Sequence, residues 1–460
     1  MDECHPPFWV SPEGNDAIVK LQDMCHQTVN RLMLDEDISE YITRDSFGDD
    51  HLDVYVYTKG GIDASGLHPE MKQEGANIGG TILGSWFTIL QVVGKVNGSS
   101  TTYFDNPLCK SSLGSRPLRL NYSKEDKTAV QAEIERLKSE IKELEPLKWS
   151  NRVTFHFDVR ISMVDQKDVT YWVDETYMAK CPLCKKVHGE WDCDDCIVVD
   201  EKSLETINHL AASILHFGIN CTKHLINLGY RQDIKTYNIR AHLKPQSDAR
   251  KLLIQEQYLS GKGLMIDFVK QGMGTTHDGN TARRIFEDPA FAEEVLGTPA
   301  DLVEDLNDYW TLFKASFPVC PDKVQAFGLR IRDKYKRYFP WGHMPSHLHK
   351  LLVHGHLYIR ALPSDTLVIG QYSEENLEAA HKTLRRVERE NSRQFSRKMR
   401  LTDVMKRMLD LSDMVILAPN LAKHRRDGED RKPYTAQVLS MAKTPVAPAA
   451  QAAPVPMETD

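Results

Sequence analysis

The chain has 460 residues, 41% of them hydrophobic, enough to bury a large core divided over roughly three domains. Its net charge of −7 excludes a wholly basic nucleic-acid binder but not a basic face, because local charge decides binding to phosphate. No run approaches the roughly 18 apolar residues of a membrane span, and the start, MDECHPPFWV, lacks a basic stretch followed by an apolar one, so an intracellular setting is expected.

Residues 1–51 read as a mostly helical lead-in that serves as a packing element, with apolar residues at three- and four-residue steps through NDAIVKLQDMCHQTVNRLMLDEDISEYI. Segments rich in β-branched and aromatic residues come next, at Asp53 to Tyr57, Thr81 to Val93 and Ser100 to Phe104, and predict a short-linked antiparallel meander. Ser123 and Asp126 give a capping-box signature, and the helix behind them carries Val130, Ile134, Leu137, Ile141 and Leu144 on one stripe until Pro146 stops it. That stripe is shorter than the three to four heptads of a coiled coil, so packing on the sheet is expected over pairing with a second helix.

From Arg152 to Asp165 the sequence alternates Val153, Phe155, Phe157, Val159, Ile161 and Met163 at period two, a strand ending on an acid. Strands, a helix, then a strand ending in Asp is an RNase H-like order. After Met178 come CPLC and CDDC, then mainly helical sequence to about residue 345. The last seventeen residues are Ala- and Pro-rich and are expected to be disordered. The expected fold class is therefore α/β. An RNase H-like mixed sheet occupies 52–176, a large, mainly helical zinc-binding insertion 177–377, basic C-terminal helices 378–443, and the tail 444–460.

Chemistry-bearing residues cluster in HKLLVHGHLYIRALPSDTLVIGQYSEENLEAAHK, residues 349–382. His349 and His354 are five apart, a spacing that suits two ligands for one metal drawn from a helix and its exit. Glu378 follows on a second helix, expected to start near Ser373 as cap, with Glu374 and Glu375 as an acidic first turn. Four of the nine cysteines lie in two C-x-x-C pairs, which fits reduced thiols and metal better than a disulfide framework. CPLC with CDDC spells C-x2-C-x8-C-x2-C, which by itself could close a Cys4 zinc site. His343, His347 and His356 are read as surface or core histidines.

Two-metal phosphoryl chemistry needs carboxylates on rigid elements, holding two divalent ions roughly 4 Å apart. Asp63 in KGGIDASG, just after the first predicted strand, Asp165 and Glu378 form such a trio. With 65 acids in the chain, spacing alone favours a solvated or capping role for each. Asp278 to Arg284, DGNTARR, is a turn leading into a helix whose amides and two arginines suit a phosphate, or else a capped helix with exposed arginines. Between His381 and Lys432, fifteen Lys and Arg face eight Asp and Glu, a local balance of +7. The helix from Glu378 onward carries Arg385, Arg386, Arg389, Arg393, Arg397, Lys398 and Arg400, and is read as tracking a DNA backbone.

The segments MVDQKD, AKCPLCKK, HDGNTARRIF, SHLHKLLVHGH and LPSDTLVIGQYSEENLEAAHKTLRR resemble the catalytic core of the RAG recombinase catalytic subunit, the V(D)J recombination-activating protein, and of the related Transib transposases. The resemblance spans residues 30–415, and its most specific pieces are HDGNTARRIF and the H-K-x-L-x-H motif followed by the Glu378 helix. It implies a DDE-type DNA endonuclease that nicks DNA at element ends and then forms hairpins by strand transfer. Asp63, Asp165 and Glu378 would hold catalytic Mg²⁺ or Mn²⁺, and Cys181, Cys184, His349 and His354 a structural Zn²⁺, in preference to the Cys4 set. Asn280, Arg283, Arg284, Arg385, Arg386 and Arg389 would contact DNA.

Double-stranded DNA, a homodimer, an accessory recombinase subunit and a nuclear location follow from the same resemblance. Two departures stand out. The family has Asp-Gly after its first strand, whereas this chain reads Gly60-Gly61-Ile62-Asp63-Ala64; and His381 stands where the family usually has Asn. The stretch before the nuclease domain is too short for both the end-recognition module and the dimerisation region of the family, so a core without its address-reader is expected. The competing reading is a catalytically inactive, domesticated DNA- or protein-binding module that keeps the zinc-stabilised fold. A zinc hydrolase is a weaker third, because no Glu follows either His as H-E-x-x-H chemistry requires.

Overall fold

The computed structural model describes residues 5–46, 51–66, 81–96, 99–164, 180–187, 189–190, 199, 212–269, 275–417 and 433–444. Its strands are β1 (Phe8–Val10), β2 (Asp16–Val19), β3 (Leu52–Gly66), β4 (Thr81–Val96), β5 (Ser99–Asp105), β6 (Arg116–Asn121), β7 (Leu147–Lys148) and β8 (Val153–Val164). They form one mixed sheet in the order β1-β2-β6-β4-β3-β8-β7, with β5 paired to β4. The architecture is mixed α/β, as expected.

At the centre, β3 runs antiparallel to β4, from Val54 opposite Gly94 to Gly66 opposite Thr81, and parallel to β8, from Leu52 beside Val153 to Ile62 beside Val164. A parallel neighbour needs a crossover. Here the chain returns through β4 to β6 and through helix α3 (Lys127–Lys142), whose Val130, Ile134 and Leu137 are buried in the same core as Trp86 and Ile161. The stripe thus packs on the sheet. Its cap is Asp126, which accepts from the Ala129 amide, rather than Ser123.

β3 begins with alternating burial and then becomes buried at every residue from Val56 to Ile62, as expected once both faces are covered. The strand is longer than the Asp53 to Tyr57 segment legible in sequence. Lys59-Gly60-Gly61 lies beyond the predicted strand, but it stays paired on both sides through irregularities in register at Tyr57/Thr58 and Gly60/Gly61. Gly61 is required there, since a Cβ would lie 2.4 Å from Met163. Asp63 consequently sits inside the strand and not after it.

The lead-in supplies helices α1 (Leu21–Leu32) and α2 (Glu36–Asp45), but also the β1–β2 hairpin, which joins the sheet where β2 pairs with β6. Beyond β8 the described elements are helical: α4 (Ile214–Gly229), α5 (Lys244–Lys262), α6 (Gly279–Phe286), α7 (Pro289–Leu296), α8 (Ala300–Leu312), α9 (Pro321–Tyr338), α10 (Ser346–Arg360), α11 (Glu375–Glu390), α12 (Arg397–Leu411) and the short α13 (Ala436–Ser440). Their core is continuous with that of the sheet, joining Ile62, Trp86 and Val164 to Phe217, Trp310 and Leu384. Each such buried side chain contributes about 1.5–3 kcal/mol. The pin of the helical part is Trp310, fully buried, its Nε1 donating to the Ile214 carbonyl at 2.8 Å.

The basic sequence read as a single helix is two. α11 ends at Glu390, and α12 starts afresh with Ser396 accepting from the Met399 amide.

Candidate metal centre and acidic site

Residues 180–187 form a tight knuckle, closed by the Cys181 amide on the Lys186 carbonyl (2.9 Å) and the Lys185 amide on the Cys181 carbonyl (3.0 Å). Lys185 adopts φ +59° there. The knuckle brings Cys181 and Cys184 against α10, where His349 and His354 are both fully buried. Sγ of Cys184 is 3.3 Å from Nε2 of His349, the two imidazole rings meet edge-on with centroids 5.0 Å apart, and one donor atom from each of the four residues lies within 4.8 Å of all the others. Ligands about 2.0–2.3 Å from a tetrahedral Zn²⁺ lie roughly 3.3–3.8 Å apart, so a small adjustment closes the site.

The donor chemistry fits. Both ring nitrogens of His354 are buried without a hydrogen-bond partner, a cost that an ion would remove. Burial also holds that imidazole below its usual range, hence neutral and ready to ligate. The hydrogen bond from Cys184, outweighing burial, draws the Cys181 thiol down to about 7, toward thiolate. His354 lies in mid-helix and not at a helix exit, because α10 continues to Arg360. Cys193 and Cys196, the rest of the Cys4 alternative, lie outside the described residues.

The two described acids each face a histidine. Oδ1 of Asp63 accepts from the amide of Ala64 at 2.7 Å, and Oδ2 lies 3.6 Å from Nδ1 of His381 on α11. Glu378 is one turn earlier on the same helix, half exposed, with Oε1 3.6 Å from Nε2 of His216 on α4. β8 ends at Val164, beside Ile62, and the Val164 carbonyl accepts from Ser213 just before α4 (3.1 Å). Asp165 follows in sequence but lies outside the described residues.

Polar contacts lock α11 to the sheet. Nδ2 of Asn376 donates to the hydroxyls of Ser115 (2.7 Å) and Thr88 (3.0 Å), and the fully buried Lys59 donates to the Ser373 carbonyl at 2.6 Å. Burial lowers the Lys59 ammonium to about 8. The helix begins at Glu375, with Glu374 at its N-cap. Glu374 is not part of a solvated acidic turn: it is 2% exposed, and its Oε1 accepts from both the amide and Nδ1 of His216 at 3.0 Å. Burial alone would raise this carboxyl, but the His216 bonds hold it below the ordinary range. Burial brings the His381 imidazole down to about 4, with Arg385 adding to the effect.

Lys59 and His216 were not singled out from sequence, and Glu374 was read only as part of an acidic first turn. Only the oddity of a lysine within an apolar strand offered a signal.

The expected DNA contacts fare unevenly. Asp278 caps α6 by accepting from the Thr281 amide, and Arg283 donates to Asn280 (2.8 Å) and to Glu375 on α11 (3.0 Å). Arg284 donates to the Lys262 carbonyl. Nε of Arg385 reaches the His381 carbonyl at 3.3 Å, Arg386 is exposed, and the exposed Arg389 pairs with Glu390. Others in the basic run hold the fold instead: Arg393 grips Asp403 with two bonds of 2.8 Å, Arg400 is buried against Glu388, and Arg397 lies over the Tyr122 ring.

Among the described residues no helix is long and apolar enough to cross a membrane. Compared with known proteins, the chain matches no protein-family model and no curated protein.

Proposed function

We propose that this chain is a RAG/Transib-like recombinase or transposase core, a divalent-metal-dependent endonuclease that nicks double-stranded DNA and transfers strands at element ends. The observation that carries the reading is the meeting of β3 and α11, where His381, one turn from Glu378, approaches Asp63 at 3.6 Å. The topology supports an RNase H-like identity: β6, β4 and β3 are antiparallel neighbours, and β8, reached after α3, lies parallel to β3. Asp165, the residue after β8, would complete the trio. Mg²⁺ or Mn²⁺ held by Asp63, Asp165 and Glu378 would supply charge stabilisation for the attacking and leaving oxygens of a phosphoryl displacement.

The chain's own residues position that chemistry. Lys59 and Asn376 fix the start of α11 on the sheet, and His216, held by buried Glu374, lies 3.6 Å from the Glu378 carboxylate. Arg385, Arg386 and Arg389 follow Glu378 on the same helix, where they would suit backbone phosphates. A Zn²⁺ on Cys181, Cys184, His349 and His354 would fasten the start of the helical insertion to the segment that leads into Glu378.

The test is nicking of supercoiled plasmid in Mg²⁺ or Mn²⁺. Nicking is expected from the wild type and is lost in Glu378→Gln and Asp63→Asn, while Glu378→Gln still binds DNA. Folded, zinc-loaded wild type that binds DNA but nicks in neither metal would overturn the enzyme reading. It would favour a non-catalytic binding module.

A further inference from the structure

We propose that Phe395, in the turn between α11 and α12, stacks on unpaired bases, so that the chain prefers DNA carrying an unpaired stretch over an unbroken duplex. The inference rests on the reading of α11 as a surface for backbone phosphates, and deepens it.

Phe395 is 87% exposed, the most exposed large apolar side chain among the described residues. A lone apolar residue on a surface ordinarily needs no explanation. This one is held there by its neighbours. The Ser392 hydroxyl donates to the Glu388 carbonyl at 2.5 Å, and Nε2 of Gln394 donates to the same carbonyl at 2.9 Å. Arg393 grips Asp403 of α12 through its backbone amide (2.9 Å) as well as its guanidinium, and Ser396 caps α12. The residues on both sides of Phe395 are thus tied to one helix or the other, and the phenyl ring is kept out in water.

The surroundings identify the partner. Glu378, Lys382, Arg386 and Arg389 recur at steps of four, four and three residues, which sets them along one face of α11. Lys382, Arg386 and Arg389 are exposed, and so is Lys398, three residues past Phe395. From Glu378 to the end of the helix this face runs about 18 Å at 1.5 Å per residue, the span of roughly five phosphates of one strand at 3.4 Å of duplex axis each. A strand laid along it arrives at the turn, where a flat apolar ring among cations suits bases and not phosphates. Every base has a π-face, so the contact is indifferent to sequence. In an unbroken duplex those faces are already stacked on one another, and opening a step costs free energy. Where bases are unpaired most of that cost is absent, and stacking on the ring raises affinity roughly 5- to 100-fold per base.

The experiment titrates the full, zinc-loaded chain, without Mg²⁺ or Mn²⁺, against a duplex and against the same duplex with a short mismatched stretch that carries a fluorescent adenine analogue. The wild type is expected to bind the mismatched DNA at least roughly fivefold more tightly and to quench the analogue by stacking. Phe395→Ala, at a position too exposed to disturb the fold, should abolish both the preference and the quenching, and Phe395→Trp should retain both. A wild type without the preference overturns the stacking role and leaves the phosphate-binding reading standing. So does a preference that persists in Phe395→Ala, whether or not both affinities fall. A wild type that binds neither DNA overturns the two together.

Discussion

Replacing any one of Cys181, His349 or His354 with Ala should release zinc and destabilise the whole core. The Cys184–His349 contact joins residues 165 apart in sequence. Treated as a cross-link closing a loop of that size, an ion there removes about 5 kcal/mol of chain entropy from the unfolded state. That is of the order of the whole stability of a folded domain, about 5–15 kcal/mol. His354 adds a desolvation term, because its two buried ring nitrogens have no other partners. Thermal unfolding by circular dichroism, paired with zinc content by mass spectrometry, reads the effect: one equivalent of zinc in the wild type, none in the variants, and a Tm lowered by roughly 5 °C. Cys193→Ala should keep both zinc and Tm. The reasoning is refuted if His349→Ala keeps its zinc and melts within a degree or two of wild type. Simultaneous zinc loss in Cys193→Ala would point to the Cys4 set.

Gly328 on α9 lies so close to α10 that a Cβ would sit 2.1 Å from the carbonyl oxygen of Leu352, which lies between His349 and His354 in sequence. Gly328→Ala should therefore cost about 1–3 kcal/mol in denaturant unfolding and weaken zinc retention against a chelator. Asp413, fully buried, takes two hydrogen bonds of 2.8 Å from Arg31 beside the buried Arg116, and Asp413→Asn should cost about 3–5 kcal/mol. Burial alone would raise that carboxyl, but Arg31 and the Ile416 amide hold it below 3.8. Its contribution is thus present above about pH 4 and lost as pH falls through the lower folded value, which acid titration of stability reads. Replacing Arg385, Arg386 and Arg389 together should weaken binding to unrelated duplexes alike in filter-binding titrations, and flatten the slope of log affinity against log salt by up to roughly 2.7, at 0.9 per phosphate. Tight, salt-insensitive preference for one duplex would contradict that.

Legibility in the sequence followed periodicity. β8 announces itself because six apolar residues alternate without interruption, and α3 because its stripe is uniform and ends at a proline. β6 was invisible, since Pro117 removes a ladder donor; the sheet accommodates it by an irregularity at Ser85/Trp86, opposite the proline. The β1–β2 hairpin was hidden by its brevity and by a helical pattern running into it. Local motif spacing brought the two C-x-x-C pairs and His349 with His354 to attention, the family resemblance implied Cys181 and Cys184 with the two histidines as one set, and the structure gathers these four. His216 had no such signal, because its partner Glu374 is 158 residues away and the pairing exists only after the insertion folds back on the sheet. Counting arginines likewise overstated the basic face: Arg393 and Arg400 are committed to Asp403 and Glu388 by contacts no composition can foretell.

Asn376 is the rotational key of α11. Successive residues on an α-helix turn by about 100°, so a helix seated one residue out of place would swing the Glu378 carboxylate through more than a quarter turn. Apolar side chains tolerate such slippage, because Leu377, Ala380 and Leu384 would exchange one greasy neighbour for another. A carboxamide enclosed by two particular hydroxyls, one from β4 and one preceding β6, does not. The angular setting of the acid is therefore written into a pair of hydrogen bonds about half a turn before it on the same helix. An Asn376→Leu chain could remain fully folded while aiming its carboxylate in the wrong direction.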